Sequence, residues 1–286
     1  MSYQIITDTC CDFPTEMYGQ LGLKVVPLCV RFREQDHNSY SEQWLKDLFA
    51  GLRAGEVATT SAVNPDGWAT CIEPVLAAGE DALVLSFSSG LSTTYQSAVI
   101  AANELMEKYP ERTVNVVDTL CASLGQGLLV YYACQKRDEG MSLAELTAWC
   151  EKTKHNLCHW VTADDLMYLK RGGRVSAATA VAGTLLQIKP IIHVNEEGKL
   201  ISVGKARGRK AAIQTLCNKV GELGIEGAND TIFICHGDCL EDAQTLEAML
   251  KEKYGTKKVF IYYIGAVIGS HAGPGTMAVF FLGNQR

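Results

Sequence analysis

Along the first half of the chain, short apolar runs alternate with longer amphipathic stretches, and each change of texture falls on a polar or glycine-rich junction. Gln4 to Thr7 reads as a short buried strand, left through the polar turn Asp8-Thr9-Cys10-Cys11-Asp12. Phe13-Pro14-Thr15-Glu16 then opens a helix, with proline near its first position and acid in its first turn. Leu23 to Phe32 predicts a second strand, split by Pro27, and Ser41 to Leu52 an amphipathic helix with Ser41 as its N-cap. The segment from Ala58 to Pro65 is expected to be a hydroxyl-rich turn into a helix that carries Trp68 and Ile72. Asp81 to Phe87 is a continuous apolar run, expected to be buried on both faces, and a long helix follows to about Tyr109. Thr113 to Val117 is a further strand, with helices over Ser123 to Glu139 and Ser142 to Asn156. Strands alternating with helices imply a mostly parallel sheet covered on both faces.

From about Cys158 the pattern changes. A strand (His159 to Thr162) meets a short helix closed by glycines and rimmed by base, Asp164 to Ser176. A small-residue helix from Ala177 to Gln187 leads to a hairpin, Ile191 to Asn195 and Lys199 to Val203, turning at Glu196-Glu197-Gly198. A helix, a strand (Thr231 to Cys235), another helix and two closing strands (Val259 to Ile264, Met277 to Leu282) complete the chain. The expected fold is α/β: an N-terminal, mostly parallel α/β domain (1–157) packed on a C-terminal α+β domain (158–286). Between the last two strands, Gly265 to Thr276 holds one histidine, His271, among four glycines, a proline and a serine. Glycine at this density lets backbone approach backbone or ligand closely, so the segment is either a tight crossover or part of a site.

At 286 residues two domains are expected. The net charge of −6 argues against a nucleic-acid binder, and with no apolar run long enough to span a bilayer the expected location is the cytoplasm. The eleven cysteines contain no Cys-x-x-Cys pair and sit mostly in apolar stretches, as small hydrophobes. Neither His155/Cys158/His159 nor Cys235/His236/Asp238/Cys239 has the paired spacing of a structural zinc site, so neither metal nor cofactor is expected.

The strongest local signal is Ser88-Ser89-Gly90-Leu91-Ser92-Thr93-Thr94, where a strand runs through a Ser/Gly turn into a long helix. Unpaired N–H groups and the helix dipole favour an anion there, and hydroxyls add donors, although Ser92 is equally suited to capping the helix. Thr59-Thr60-Ser61 occupies a comparable place one unit earlier. With His271 these turns make a cradle for a carboxylate or phosphate. Intrinsic catalysis is less well supported: Phe87-Ser88-Ser89-Gly90 is not a Gly-x-Ser-x-Gly elbow, and the common phosphate loops are absent. A hydrolase or phosphatase using Ser89, His271 and one of Asp8, Asp12 or Asp118 remains the alternative, with a lipid-responsive regulator as a third. A basic group, Lys170, Arg171 and Arg174 with Lys205, Arg207, Arg209 and Lys210, is either a solvated face or a rim for phosphate or an acidic partner.

Taken in order, Thr7-Asp8-Thr9-x-x-Asp12, Thr60-Ser61, Ser88 to Ser92, Asp165 to Ser176, the run to Pro190, Ala206-Arg207 and Gly269 to Gly275 resemble the DegV family, which includes the FakB subunits of bacterial fatty acid kinase. The resemblance implies a long-chain fatty acid between two domains. Its carboxylate would be held by Thr60 and Ser61, by the serine turn of Ser88, Ser89 and Ser92, and by His271. It also implies a non-catalytic subunit that presents the carboxylate to a separate ATP-dependent kinase for acyl phosphate formation, in support of phospholipid synthesis, with Arg174 and Arg207 facing the phosphorylated head or the kinase. Two departures are Ser92-Thr93-Thr94, where the family has Ser-Gly-Thr, and Thr9-Cys10-Cys11-Asp12-Phe13 in the first motif. A lipid is physically sensible for such a cradle: about fourteen buried methylenes offer on the order of 11 kcal/mol before ordering costs, so the head group needs only modest donors.

Overall fold

The computed structural model describes residues 2–175 and 187–286. The helix expected from Ala177 lies outside the described residues but for its last position. Strands β1 (Tyr3–Asp8), β2 (Lys24–Val26), β6 (Asp81–Ser86) and β7 (Val114–Asp118) form a wholly parallel sheet in the order β2-β1-β6-β7. Every residue of β6 is buried, as its unbroken apolar run requires of a central strand covered by helices on both faces. The helices of this half are α1 (Thr15–Gln20), α3 (Pro65–Ala77), α4 (Thr94–Lys108), α5 (Leu124–Asp138) and α6 (Leu143–Thr153). Ser142 closes a capping box with Glu145 at the start of α6.

The run from Leu23 to Phe32 is not one strand. Pro27 has no N–H for a ladder, and the N–H of Leu28 donates to the Thr9 hydroxyl at 3.0 Å. The chain therefore leaves the parallel sheet, and β3 (Cys29–Phe32) joins β4 (Gln35–His37) and β5 (Ala58–Ser61) in a small antiparallel sheet, order β4-β3-β5. Thr59-Thr60-Ser61 is thus strand, not turn: β-branched residues suit the ladder, and Thr60 pairs with Val30. Between β4 and β5, α2 (Glu42–Arg53) begins where the Ser41 hydroxyl accepts the Trp44 N–H at 3.2 Å.

The second half builds a six-stranded mixed sheet, order β10-β9-β8-β13-β11-β12, from β8 (Leu157–Thr162), β9 (Ile188–Val194), β10 (Leu200–Arg207), β11 (Thr231–His236), β12 (Lys258–Tyr263) and β13 (Met277–Leu282). Only β11 and β12 run parallel. Helices α8 (Arg209–Leu223) and α9 (Leu240–Tyr254) cover one face, over a core that includes Leu216, Ile232, Leu246 and Phe281. The other face joins the core of the parallel sheet, since Phe233, Cys235 and Phe280 belong to the same apolar cluster as Ile5, Leu83 and Leu128. Short α7 (Met167–Arg171) follows β8. The glycine-rich stretch after β12 folds as a seven-residue helix, α10 (Ala266–Ala272), a conformation its glycines conceal. Those glycines serve close packing: a Cβ on Gly269 would come within 2.8 Å of the Phe49 ring. Gly273 and Gly275, at φ 79° and 76°, turn the chain back into β13. No helix among the described residues is long and apolar enough to cross a membrane.

Candidate functional site

Where the three sheets meet, a cavity of about 370 Å³ opens. Its walls are mostly apolar: Phe87 and Leu91 after the parallel sheet, Leu28 before the small one, Val161, Ala278 and Phe280 from the large one, and Val267 and Ile268 from α10. Polar groups gather from separate elements: Thr60 and Ser61 at the end of β5, Ser89, Ser92 and Thr93 ahead of α4, His271 in the last turn of α10, and Arg174 after α7. Thr60 Oγ1 and His271 Nε2 lie 2.7 Å apart, although the residues are separated by 211 positions.

Burial, and secondarily the positive charge of Arg174, holds the His271 imidazole down to about 4, so the ring is neutral near pH 7. A carboxylate brought beside it would oppose both effects and favour the imidazolium. Gly172, the residue after α7, lies hard against this ring: a Cβ there would come within 2.2 Å of Nδ1. Arg174 is fixed by two backbone carbonyls, its Nε donating to Leu91 O at 3.2 Å in the distant serine turn and Nη1 to Gly172 O close by in the chain.

The serine turn divides its labour. Ser89 lines the cavity, and its backbone N–H donates to Asp118 Oδ1 at 3.1 Å. Ser92 also reaches the wall, while its hydroxyl accepts the Thr94 N–H at 3.2 Å in a capping role. Ser88 does not reach the cavity: fully buried, it donates to Gly198 O at 2.8 Å and docks the tip of the β9–β10 hairpin. Arg207, exposed at the end of β10, is not a lining residue either. Of the remaining basic residues, Arg209 is committed to Asp242 at 2.8 Å and to Gly275 O at 2.7 Å, clamping the loop after α10.

Several further groups take part that the sequence does not connect with a carboxylate site. His159 lines the cavity on the large sheet; its Nδ1–H donates to Leu157 O at 2.9 Å and its Nε2 accepts the Ala122 N–H at 3.2 Å. Both ring nitrogens are thereby occupied, and burial keeps the ring neutral. Ser123 lines the same region and donates to Asp12 Oδ2. Asp118, offered in the sequence as one candidate acid of a hydrolytic site, positions Ser89 and also accepts the Leu120 N–H at 3.1 Å. Asp8 accepts from Phe87 N at 2.7 Å and Cys10 N at 3.0 Å. Among the described residues, the hydroxyl at hydrogen-bonding distance from His271 is that of Thr60, and no carboxylate is bonded to the ring.

The chamber is therefore mostly apolar, with hydroxyls, His271 and Arg174 gathered from separate elements around it. The chain belongs to the DegV family, whose model matches residues 2–284. It is 44% identical over 286 residues to a DegV domain-containing protein of Clostridium perfringens, covering 99% of this chain and 98% of that one. Among solved structures it is similar to a DegV family protein from Thermus thermophilus described as fatty-acid binding, with TM-score 0.88 and 32% identity over 99% of this chain and 100% of that one. A Thermotoga maritima protein described as revealing a fatty acid binding function matches with TM-score 0.86 and 28% identity, over 99% of each chain.

Proposed function

We propose that this protein binds one long-chain fatty acid, its acyl chain in the apolar cavity and its carboxylate between Thr60 and His271, and that it works in the cytoplasm as the carrier subunit of an ATP-dependent fatty acid kinase system. The site would lie between an N-terminal domain (1–157) and a C-terminal domain (158–286). The observation that carries the proposal is the Thr60–His271 pair, 2.7 Å apart on the wall of a chamber lined mostly by apolar side chains. Ser61, Ser89 and Ser92 supply further hydroxyls around the head group. Ser88 acts indirectly, by holding the turn, and Arg174 sits where a charge added to the carboxylate would be felt. Arg207, on the exposed edge, suits contact with the kinase. Thr60 and His271 together hold one side of the head group, leaving a carboxylate oxygen free to accept a phosphoryl group.

The test is denaturing extraction of purified protein followed by mass spectrometry, with titration of delipidated protein. One long-chain fatty acid per chain is expected. Thr60→Val removes one hydrogen bond to a charged group, so it should weaken binding by about tenfold to a hundredfold. Recovering no lipid, with no uptake on titration, would overturn the proposal.

A further inference from the structure

A second cavity, of about 240 Å³, reaches the opposite end of α10 from His271: Ala266 and Val267 are on its wall, with Gly265 before them. The rest of that wall comes mainly from the turn after β1, the start of α1, the segment ahead of α2 and Tyr262 of β12. None of the residues assigned to the fatty-acid carboxylate is on it, and it carries no lysine, arginine or histidine. Val267 is shared with the acyl chamber.

Four aromatic residues, Phe13, Tyr18, Tyr40 and Tyr262, line this space together with a single acid, Asp12. Two of the rings are held by neighbours. Tyr40 packs on Trp44 with ring centroids 4.9 Å apart, and its hydroxyl lies 3.0 Å from Leu28 O and 2.9 Å from His37 O. Tyr262 stacks on Phe260 at 6.4 Å. Asp12 is only 3% exposed. Its Oδ2 accepts the Ser123 hydroxyl, whereas Oδ1 has no hydrogen-bond partner among the described residues. Gly265, itself a wall residue, gives that oxygen its room, since a Cβ there would come within 2.1 Å of it. A buried carboxylate oxygen without a donor is costly, and a ligand that supplies one recovers the loss. Two further acids stand near: Glu16 and Glu42, in the first turns of α1 and α2, join Asp12 in raising the Tyr262 phenol, after the larger effect of burial. Glu42 is shared with Lys46 at 2.7 Å.

A hard metal ion needs several oxygen ligands, and no cluster of three or more His, Cys, Asp or Glu among the described residues could hold one. An ammonium group fits better. Its N–H supplies the donor that Oδ1 lacks, its charge balances the carboxylate, and aromatic faces attract a cation while packing against its carbon body. We infer that this cavity is a site for a small organic amine, bound as its ammonium ion, with Asp12 as counter-ion and Tyr18, Tyr40 and Tyr262 as its aromatic wall. The site is distinct from the acyl chamber, and its existence does not depend on what that chamber holds.

The probe is tyramine, titrated into the purified full chain at pH 8, where most of Asp12 is ionised although burial has pushed it up to about 7. The control is 4-ethylphenol, the same molecule without its amino group. Saturable one-to-one binding of tyramine is expected, at least about tenfold tighter than the phenol, with amide shifts clustered at Thr9, Asp12 and Gly265. Asp12→Asn should bring the two probes to equal affinity. Tyr262→Leu should weaken tyramine by about threefold to tenfold and keep its preference over the phenol. A single cooperative melting transition will show that each variant folds. Palmitate in excess should leave tyramine bound. Displacement of tyramine by palmitate, no saturable binding, equal affinity of wild type for both probes, shifts clustered elsewhere, or an undiminished preference in Asp12→Asn would each overturn the inference. Failure of palmitate to bind, with tyramine bound as expected, would overturn the fatty-acid reading alone.

Discussion

Two buried acids near the base of the parallel sheet titrate far from their ordinary range, for the same reason. Burial pushes Asp12 up to about 7, against the hydrogen bond from Ser123 and the backbone of Gly265, and pushes Asp8 up to about 6 against four hydrogen-bond donors. Asp12 Oδ1 is buried against Gly265 without a well-aligned hydrogen bond, which weakens the case for the charged form. An acid whose pKa is higher folded than unfolded contributes stability that is complete below its unfolded value, about 3.9, and lost as pH rises through about 7. Asp12→Asn should therefore gain on wild type as pH is raised from 4 to 8, a trend read from the difference in melting temperature between the two proteins. A difference constant across that range would mean that Asp12 is already ionised at low pH. Asp8 and Asp12 were legible in the sequence as polar turn residues, and so were Thr60 and His271 as candidate donors. Their pairing at 2.7 Å was not, because nothing local relates positions 60 and 271.

Elements as well as residues set the site. The imidazole is held between α10, which carries it, and the end of α7, which comes close only because position 172 lacks a side chain. The φ of Gly172 is −74°, so alanine there is strained by space and not by backbone conformation. Gly172→Ala should push the ring off Thr60, lowering fatty-acid affinity by about tenfold while leaving the fold intact. The ligand-free crystal structure of the variant, or the chemical shifts of the imidazole, will show whether the ring has moved. At this scale the sequence misled twice. β5 reads as a turn because its residues are hydroxylic, yet the ladder to β3 decides the matter. The helix α10 reads as a loop because four glycines fall in or beside it, yet burial of Val267 and Gly269 against α2 fixes it as a helix.

At the scale of the molecule, the chamber exists because neither sheet closes the core alone. Phe87 and Leu91 on one side and Ala278 and Phe280 on the other leave a gap that their own side chains do not fill. Ala278, on β13, is buried and small and lines the chamber, so Ala278→Leu adds volume inside it. We expect this variant to co-purify with shorter acyl chains than wild type, by mass spectrometry of extracted lipid, and to lose about 1–3 kcal/mol if the added methyls meet wall atoms instead of empty space. An unchanged chain-length distribution would place the acyl chain elsewhere in the cavity. What the sequence determined by itself was the alternation of buried runs and amphipathic helices, and with it the α/β fold, because periodicity and capping act between near neighbours. It also carried the ordered motifs by which the family is recognised. The tertiary structure alone decided which hydroxyls face the chamber, that Ser88 holds a hairpin while Thr60 meets the histidine, and that a second cavity, with an acid on its wall, shares Val267 with the first. Those outcomes depend on which distant segments come within hydrogen-bonding distance, and contacts across more than a hundred residues leave no period in the chain.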